Sequence, residues 1–397
     1  MKKQILFAIH YLELGGAEMS LIGLLKALDY TGVDVDLFVY SHRGELMGEI
    51  PPRVNLLPEI PKYAQIERPI KQVLKDGYFR MVLARLRAKR EFARYRRKNH
   101  PKDGSAVFAY VTKNVTPLLP PINPAQEYDL AVSFLAPHDI VLERVRAKKK
   151  VCWVHTDYTK VDMDMDLDFP VWSKFDHIVA VSDAVSGAFL TRFPSLRDKM
   201  VTIPNILSPV WVCSRAEAFC VDAEMPREPG MTRLLSIGRF SEAKNFDNVP
   251  DICRRIREKG VNVRWYLIGY GGDEDLIRTK IAESKMEEYV RILGKKDNPY
   301  PYLKACDIYV QPSRYEGSPV TIREALALHK PVVATSFPTV QGVIDNGING
   351  IITPLDNEEC AENLSQFIQN GGCCFRPADL PFDQEAQASL TRLLSLL

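Results

Sequence analysis

What this chain of 397 residues lacks narrows the field first. No stretch approaches the roughly 18 to 20 consecutive apolar residues of a membrane-crossing helix, so an integral helical protein is not expected. An excess of one charge is also missing: 52 Lys and Arg face 50 Asp and Glu, so net charge alone does not favour nucleic acid, and any basic partner surface must be local. The eight cysteines form no CxxC pair and no His-Cys metal spacing. Only Cys373 and Cys374 are adjacent, a spacing that strains a disulfide, and a reducing cytoplasm is the expected setting. No internal repeat of fixed short period is present. The opening MKKQILFAIH has the lysines and apolar run of a secretory leader, yet the run stops at His10, too early for one, and reads as a first strand.

What is present is alternation. The length predicts two domains of about 150 to 200 residues. Strand-length apolar runs alternate with amphipathic helical patterns: QILFAIH, VDLFVY, YDLAVSF, KVCWVH and HIVAVS, then RLLSIG, VRWYLIG, VRILG, DIYVQPS and PVVATS. Buried parallel strands joined by helices give this pattern, and two series of them predict two doubly wound α/β domains facing a cleft. Pro209, Pro226, Pro229 and Gly230 fall in a stretch without clear periodicity and mark a connector. The expected division is residues 1–207, a linker at 208–230, a second domain at 231–378, and a terminal helix at 379–397 packing back towards the first domain. A further break, PPINP at 120–124, ends an insertion rather than a domain.

In open α/β sheets ligands sit beyond the carboxyl ends of the strands. After the first such run, Gly15 and Gly16 open a helix whose amides suit an anion, although a glycine pair there is equally a plain tight turn. After RLLSIG stand Arg239 and Lys244, able to neutralise a diphosphate or simply two solvated charges. Gly269, Gly271 and Gly272 mark another turn. The stretch SRYEGSPVTIREALALHKPVV (313–333) brackets a helix start with Glu316 and Glu324. Pro319 suits the first helical position and Ser318 a capping one, leaving the amides of Val320 and Thr321 to a phosphate. Glu324, over a turn further in, suits ribose hydroxyls, and Glu316 the other end of the ligand. The spacing fits a nucleotide sugar; an ordinary helix with acids near its favourable end fits it too.

The ordered series GGAE (from 15), VH (154), VAVSDA (179), IPNI (203), SIGRFSEAKN (236), YLIGYGGDEDL (266), PSRYEGSPVTIREALA (312), KPVVAT (330) and DNGINGIIT (345) resembles the retaining glycosyltransferases of family 4, glycosyl transferases group 1, over almost the whole chain. The resemblance implies the GT-B fold, two Rossmann-like domains facing a central cleft. It also implies that Arg239 and Lys244 hold the donor diphosphate, that Glu316, with Gly317 and Ser318 beside it, contacts the donor sugar, that Glu324 binds ribose, that Gly16 approaches phosphate or acceptor, and that His155 lies near the reacting sugar. The sequence departs from the family at Gly-Ser-Pro after Glu316, where Gly-Phe-Gly is common, at His329, where glycine is common, and after IPNI. Neither a cofactor nor a metal is expected; fixed cations and helix amides would stabilise the departing diphosphate.

Two segments stand apart from that pattern. DMDMDLD (162–168) resembles an Asp-x-Asp metal site but lacks its context, and is expected to be a strand-like or irregular loop near the acceptor. From Lys71 to Lys102, Arg and Lys residues interleave with Val73, Leu74, Phe79, Leu83 and Leu86, a basic amphipathic helix suited to an anionic membrane surface, to solvent, or less well to nucleic acid. Together these features predict a cytoplasmic enzyme, peripheral on the inner face of the plasma membrane. It would move a hexose from a nucleotide sugar, UDP-linked, to a glycan or polyprenyl-diphosphate-linked acceptor of a cell-surface polysaccharide. A nucleotide-sugar epimerase and a silent nucleotide-sugar-binding partner are the rival readings.

Overall fold

The computed structural model describes residues 2–13, 15–101, 104–371 and 382–397. Cys373, Cys374, Lys102 and the expected boundary at 378/379 lie outside the described residues. The chain divides into two compact units: residues up to Ile206 together with Asp383–Leu397, and Leu207–Phe382.

The first unit is built on a parallel sheet of β1 (Lys3–Ile9), β2 (Val33–Val39), β3 (Asn55–Leu56), β4 (Tyr128–Ser133), β5 (Ala147–Val154), β6 (His177–Ala180) and β7 (Met200–Thr202), in the order β3-β2-β1-β4-β5-β6-β7. Phe7 sits in register with Leu37 on one side and Val132 on the other. Ile5 to Ile9 are all fully buried, which is why β1 reads as an unbroken apolar run: both faces of the sheet are covered. The helices are α1 (Gly16–Ala27), α2 (Pro61–Ala64), α3 (Ile70–Lys75), α4 (Phe79–Asn99), α5 (Val107–Val115), α6 (Asp139–Arg144), α7 (Met165–Trp172) and α8 (Asp183–Arg192). The basic segment expected as one helix is therefore two, α3 and α4. Gly77, with φ +82, takes the left-handed conformation that stops the first before Phe79 opens the second. The Asp-rich run is not strand-like either. Asp164 accepts a hydrogen bond from the Asp166 amide at 3.2 Å and caps α7, which contains Asp166 and Asp168.

The second unit carries a parallel sheet of β8 (Thr232–Ile237), β9 (Val263–Ile268), β10 (Val290–Gly294), β11 (Ile308–Gln311), β12 (Val332–Thr335) and β13 (Ile351–Thr353), ordered β10-β9-β8-β11-β12-β13. Its helices are α9 (Pro209–Ala216), α10 (Val249–Glu258), α11 (Glu274–Glu283), α12 (Tyr300–Ala305), α13 (Val320–Ala327) and α14 (Asn357–Gln369). The stretch expected as an irregular connector thus holds α9, with Pro209 as its first residue and Ser208 Oγ accepting from the Trp211 amide at 3.4 Å. A proline at that position starts a helix rather than preventing one. In α10, Val249, Ile252, Cys253 and Ile256 repeat at helical spacing and are fully buried against Trp265 and the α14 residues Leu364 and Phe367. Arg254, Arg255 and Glu258 occupy the opposite face. Each such aliphatic side chain contributes about 1.5–3 kcal/mol by leaving water.

The last helix, α15 (Phe382–Leu394), groups from Asp383 onward with the first unit. Ser389 Oγ donates to Pro204 O at 3.2 Å, just past the sheet's edge strand β7, and Arg392 Nη1 donates to Thr202 O at 2.9 Å, at the end of that strand. Among the described residues no helix is long and apolar enough to cross a membrane.

Candidate functional site

In the second unit the strand order reverses between neighbours β8 and β11, the place where open α/β sheets leave a crevice at their carboxyl ends. The residues leaving β8 are Gly238 and Arg239, followed by a single 3-10 turn, Glu242–Lys244, closed by Asn245 in the left-handed conformation. A Cβ on Gly238 would stand 2.8 Å from Lys244 Cε, so the lysine stem lies directly across the glycine. The turn after β9 packs as tightly: a Cβ on Gly269 would fall 1.8 Å from Gly238 O, and one on Gly271 2.2 Å from Phe240 O. Arg239 is exposed, and among the described residues nothing hydrogen-bonds or ion-pairs with its guanidinium.

The residues leaving β11 converge on Glu316. Its Oε1 accepts from Lys244 Nζ at 2.7 Å, Gln311 Nε2 at 2.7 Å and Ser313 Oγ at 2.6 Å. The Gln311 oxygen in turn accepts from Tyr309 Oη, and Gln311 Nε2 also donates to Ser313 Oγ at 2.7 Å. Three donors on one oxygen fix the carboxylate, while among the described residues Oε2 has no hydrogen-bond partner. The sequence separated the roles of Lys244 and Glu316, one for diphosphate and one for sugar; the folded chain brings the two into direct contact. Gln311 and Ser313 were missed. Their signal was position, since Gln311 ends β11 and Ser313 follows it on the way to the glutamate.

Helix α13 begins at Val320, with Pro319 in the capping position and no side-chain cap. Ser318 therefore does not cap: its carbonyl accepts from the Val320 amide at 2.9 Å. Proline fixes the backbone entry that a capping hydroxyl would otherwise secure. Gly317 and Ser318 join Glu316 to this helix start, and Thr321 lies in its first turn. Glu324 is 6% exposed and accepts from Tyr300 Oη at 2.8 Å. Burial pushes its carboxyl up to about 7, against the opposing pull of the tyrosine bond and the Lys244 charge.

In the first unit, Gly16 opens α1, and the carboxylate of Glu18, in the first turn of that helix, lies close to its start. A Cβ on the preceding Gly15 would meet Glu18 Oε2 at 2.2 Å. His155, just after β5, is partly buried with Nε2 2.9 Å from Phe134 O, a contact that requires the proton on Nε2 and leaves Nδ1 as the acceptor. Burial holds its pKa down to about 4, so it is neutral near pH 7. A second histidine, His138, was missed. It follows β4 in the segment APHD, with Nδ1 2.8 Å from Ser133 Oγ and its Nε2 buried without a partner among the described residues.

Residues 232–370 match the family model described as Glycosyl transferases group 1. The second unit is a glycosyl transferases group 1 domain. Over 147 residues the chain is 31% identical to the amylovoran biosynthesis glycosyltransferase AmsK of Erwinia amylovora, covering 35% of this chain and 36% of that protein. It is 28% identical over 147 residues to the lipopolysaccharide core biosynthesis glycosyltransferase LpsE of Rhizobium meliloti, covering 37% of this chain and 42% of that protein. The chain thus spans less than half the length of these curated relatives. Among solved structures, Anabaena HepE in complex with UDP and glucose superimposes with a TM-score of 0.67 over 98% of both chains at 16% identity. A mutant of S. aureus TarM, with Fondaparinux, alpha-GlcNAc-glycerol and UDP, gives 0.66 over 99% of both at 13% identity. These likenesses show the fold: the two Rossmann-like parallel sheets of GT-B glycosyltransferases.

Proposed function

We propose that this glycosyl transferases group 1 protein is a retaining glycosyltransferase that moves a hexose from a UDP-sugar to a lipid-linked or growing cell-surface polysaccharide acceptor. The observation that carries the reading is the convergence of Lys244, Gln311 and Ser313 on one oxygen of Glu316 at the switch point of the second sheet. A carboxylate immobilised in this way presents its second oxygen to sugar hydroxyls, and the lysine beside it is a ready cation for a diphosphate. Arg239 supplies a second cation, Gly317, Ser318 and the Thr321 amide add contacts to the phosphates, the Val320 amide would join them by exchanging its bond to Ser318 O, and Glu324 takes the ribose hydroxyls. In the first unit, Gly16 and His155 serve the acceptor and the reacting sugar.

In the reaction, the bond between the anomeric carbon and the β-phosphate oxygen breaks as the acceptor oxygen bonds to that carbon from the same face. The acceptor's proton passes to the departing phosphate oxygen. Negative charge grows on the diphosphate, and Arg239 and Lys244 oppose it without a metal. The names of AmsK, for amylovoran biosynthesis, and LpsE, for lipopolysaccharide core biosynthesis, support the acceptor class, and the UDP bound to HepE and TarM supports the donor class. In this reading the cationic face of α4 docks on an anionic membrane, in keeping with a peripheral enzyme on the inner face of the plasma membrane.

The test is a panel of nucleotide sugars incubated with and without membrane-derived acceptor. Release of nucleoside diphosphate that requires acceptor supports the reading. Conversion of the free nucleotide sugar to an epimer, without acceptor, would replace it with the epimerase.

A further inference from the structure

Helix α4 has two flanks of different character. On one, Arg94, Lys98 and Lys113 line a hollow together with Glu91, Asp164 and Asp166, and Lys113 pairs with Glu91 at 3.3 Å. On the other, a groove of about 850 Å³ runs between α4 and α5, and among the described residues no carboxylate lines it. Phe92, Val107 and Val111 form its apolar floor, and Lys89, Arg96 and Arg97 stand along its rim. These three cations are exposed and have no ion-pair partner among the described residues. Arg85, at one end, is committed to structure, donating to Gln65 O at 3.3 Å and to Arg68 O.

Uncompensated cations beside an apolar floor select a ligand that is anionic at one end and apolar at the other. Free phosphate would leave the floor wet, and a neutral lipid would leave the cations unmatched. The groove also has a direction. Leu86 and Arg97 are eleven residues apart, about 16 Å along the axis, and eleven steps of about 100° return to nearly the same side of the helix. Along that side Phe79, Leu83 and Leu86 are 63%, 67% and 40% exposed. A chain leaving a phosphate held at Arg96 and Arg97 therefore runs towards the exposed apolar end of the helix.

We infer that the groove between α4 and α5 is a binding site for a single-chain lipid phosphate or diphosphate, its head on Lys89, Arg96 and Arg97 and its first chain segment over Phe92, Val107 and Val111. The inference rests on the reading of α4 as the membrane-facing surface, but adds a site for one molecule to a face that docks on many.

Geranyl diphosphate is a soluble probe of this chemistry, with inorganic pyrophosphate and geraniol as controls, measured by titration calorimetry on the full chain with saturating UDP occupying the donor site. The expected result is that geranyl diphosphate binds at least tenfold more tightly than pyrophosphate and that geraniol does not register. The exposed double substitution Lys89→Glu with Arg96→Glu should weaken the probe at least tenfold, whereas Lys244→Ala should leave its affinity unchanged. Equal binding of pyrophosphate, or indifference to the charge reversal, would overturn the site. Vesicle flotation separates it from the surface: Leu83→Asp should reduce recovery with anionic phosphatidylglycerol vesicles and leave geranyl diphosphate affinity intact. Loss of flotation with the probe still bound supports the groove on its own. A probe that fails to bind the parent protein overturns the groove however well the vesicles float.

Discussion

Replacing Glu324 by Gln should flatten the pH dependence of the second unit's stability. The carboxyl is 6% exposed, hydrogen-bonded to Tyr300, and raised by burial from 4.5 to about 7. A shift of roughly 2.5 units corresponds to about 3 kcal/mol between the two protonation states. The folded-state value lies above the unfolded one, so this contribution is fully present below about pH 4.5. It declines as pH rises and is gone above about pH 7, where the folded state must carry a buried carboxylate. Gln keeps the shape and a hydrogen-bonding oxygen but does not titrate. Urea denaturation of the parent and the Glu324→Gln variant, differenced at each pH so that every other group cancels, should give a variant that gains up to about 3 kcal/mol on the parent between pH 5 and 8. A constant difference across that range would refute the claim that this helix buries a titrating acid. Nucleotide binding to the parent should oppose the trend, because ribose hydroxyls donating to Glu324 stabilise its charged form.

Lys244→Ala removes a charge-assisted contact worth about 1.5–3 kcal/mol and should weaken nucleoside diphosphate binding roughly tenfold to a hundredfold, read by calorimetry. Glu316→Gln keeps the packing but gives up the anion, and steady-state kinetics should show kcat falling by a larger factor than donor affinity. Gly269→Ala drives a methyl to 1.8 Å from Gly238 O, so the backbone must move, and thermal melting should show destabilisation above the usual point-mutant value of about 1 kcal/mol. Ile252→Ala in α10 should cost about 2–5 kcal/mol in the same assay while leaving nucleotide affinity unchanged. Turnover should survive chelation by EDTA, because fixed cations take the place of a metal; loss of activity would contradict the charge assignment to Arg239 and Lys244.

The alternation of apolar runs located the long strands of both sheets, because a parallel strand covered on two faces has no polar side to hide it. β3, β7 and β13 were not legible, being two or three residues held in place by a neighbour rather than by their own composition. Proline misled twice. As the first residue of α9 it starts a helix where a connector was expected, and before α13 it displaces Ser318 from the cap. At the site, residue types and strand-end positions pointed to Lys244 and Glu316, but their contact spans 72 positions and depends on β8 and β11 being neighbours. That adjacency belongs to the fold, and the supporting pair Gln311 and Ser313 became visible only with it. His155 stood out as a strand-end histidine, yet its neutral state and single proton position follow from its packing beside Phe134 and the contact with Phe134 O, which no local pattern encodes.

The central claim is that the crevice between the ends of β8 and β11 grips the diphosphate of a nucleotide sugar. Calorimetric titration of UDP into the parent, Arg239→Ala, Lys244→Ala and the double variant tests it most directly. The account predicts measurable binding to the parent, weakening by each single substitution, and near-complete loss in the double variant with folding intact. Equal UDP affinity in all four proteins would contradict it.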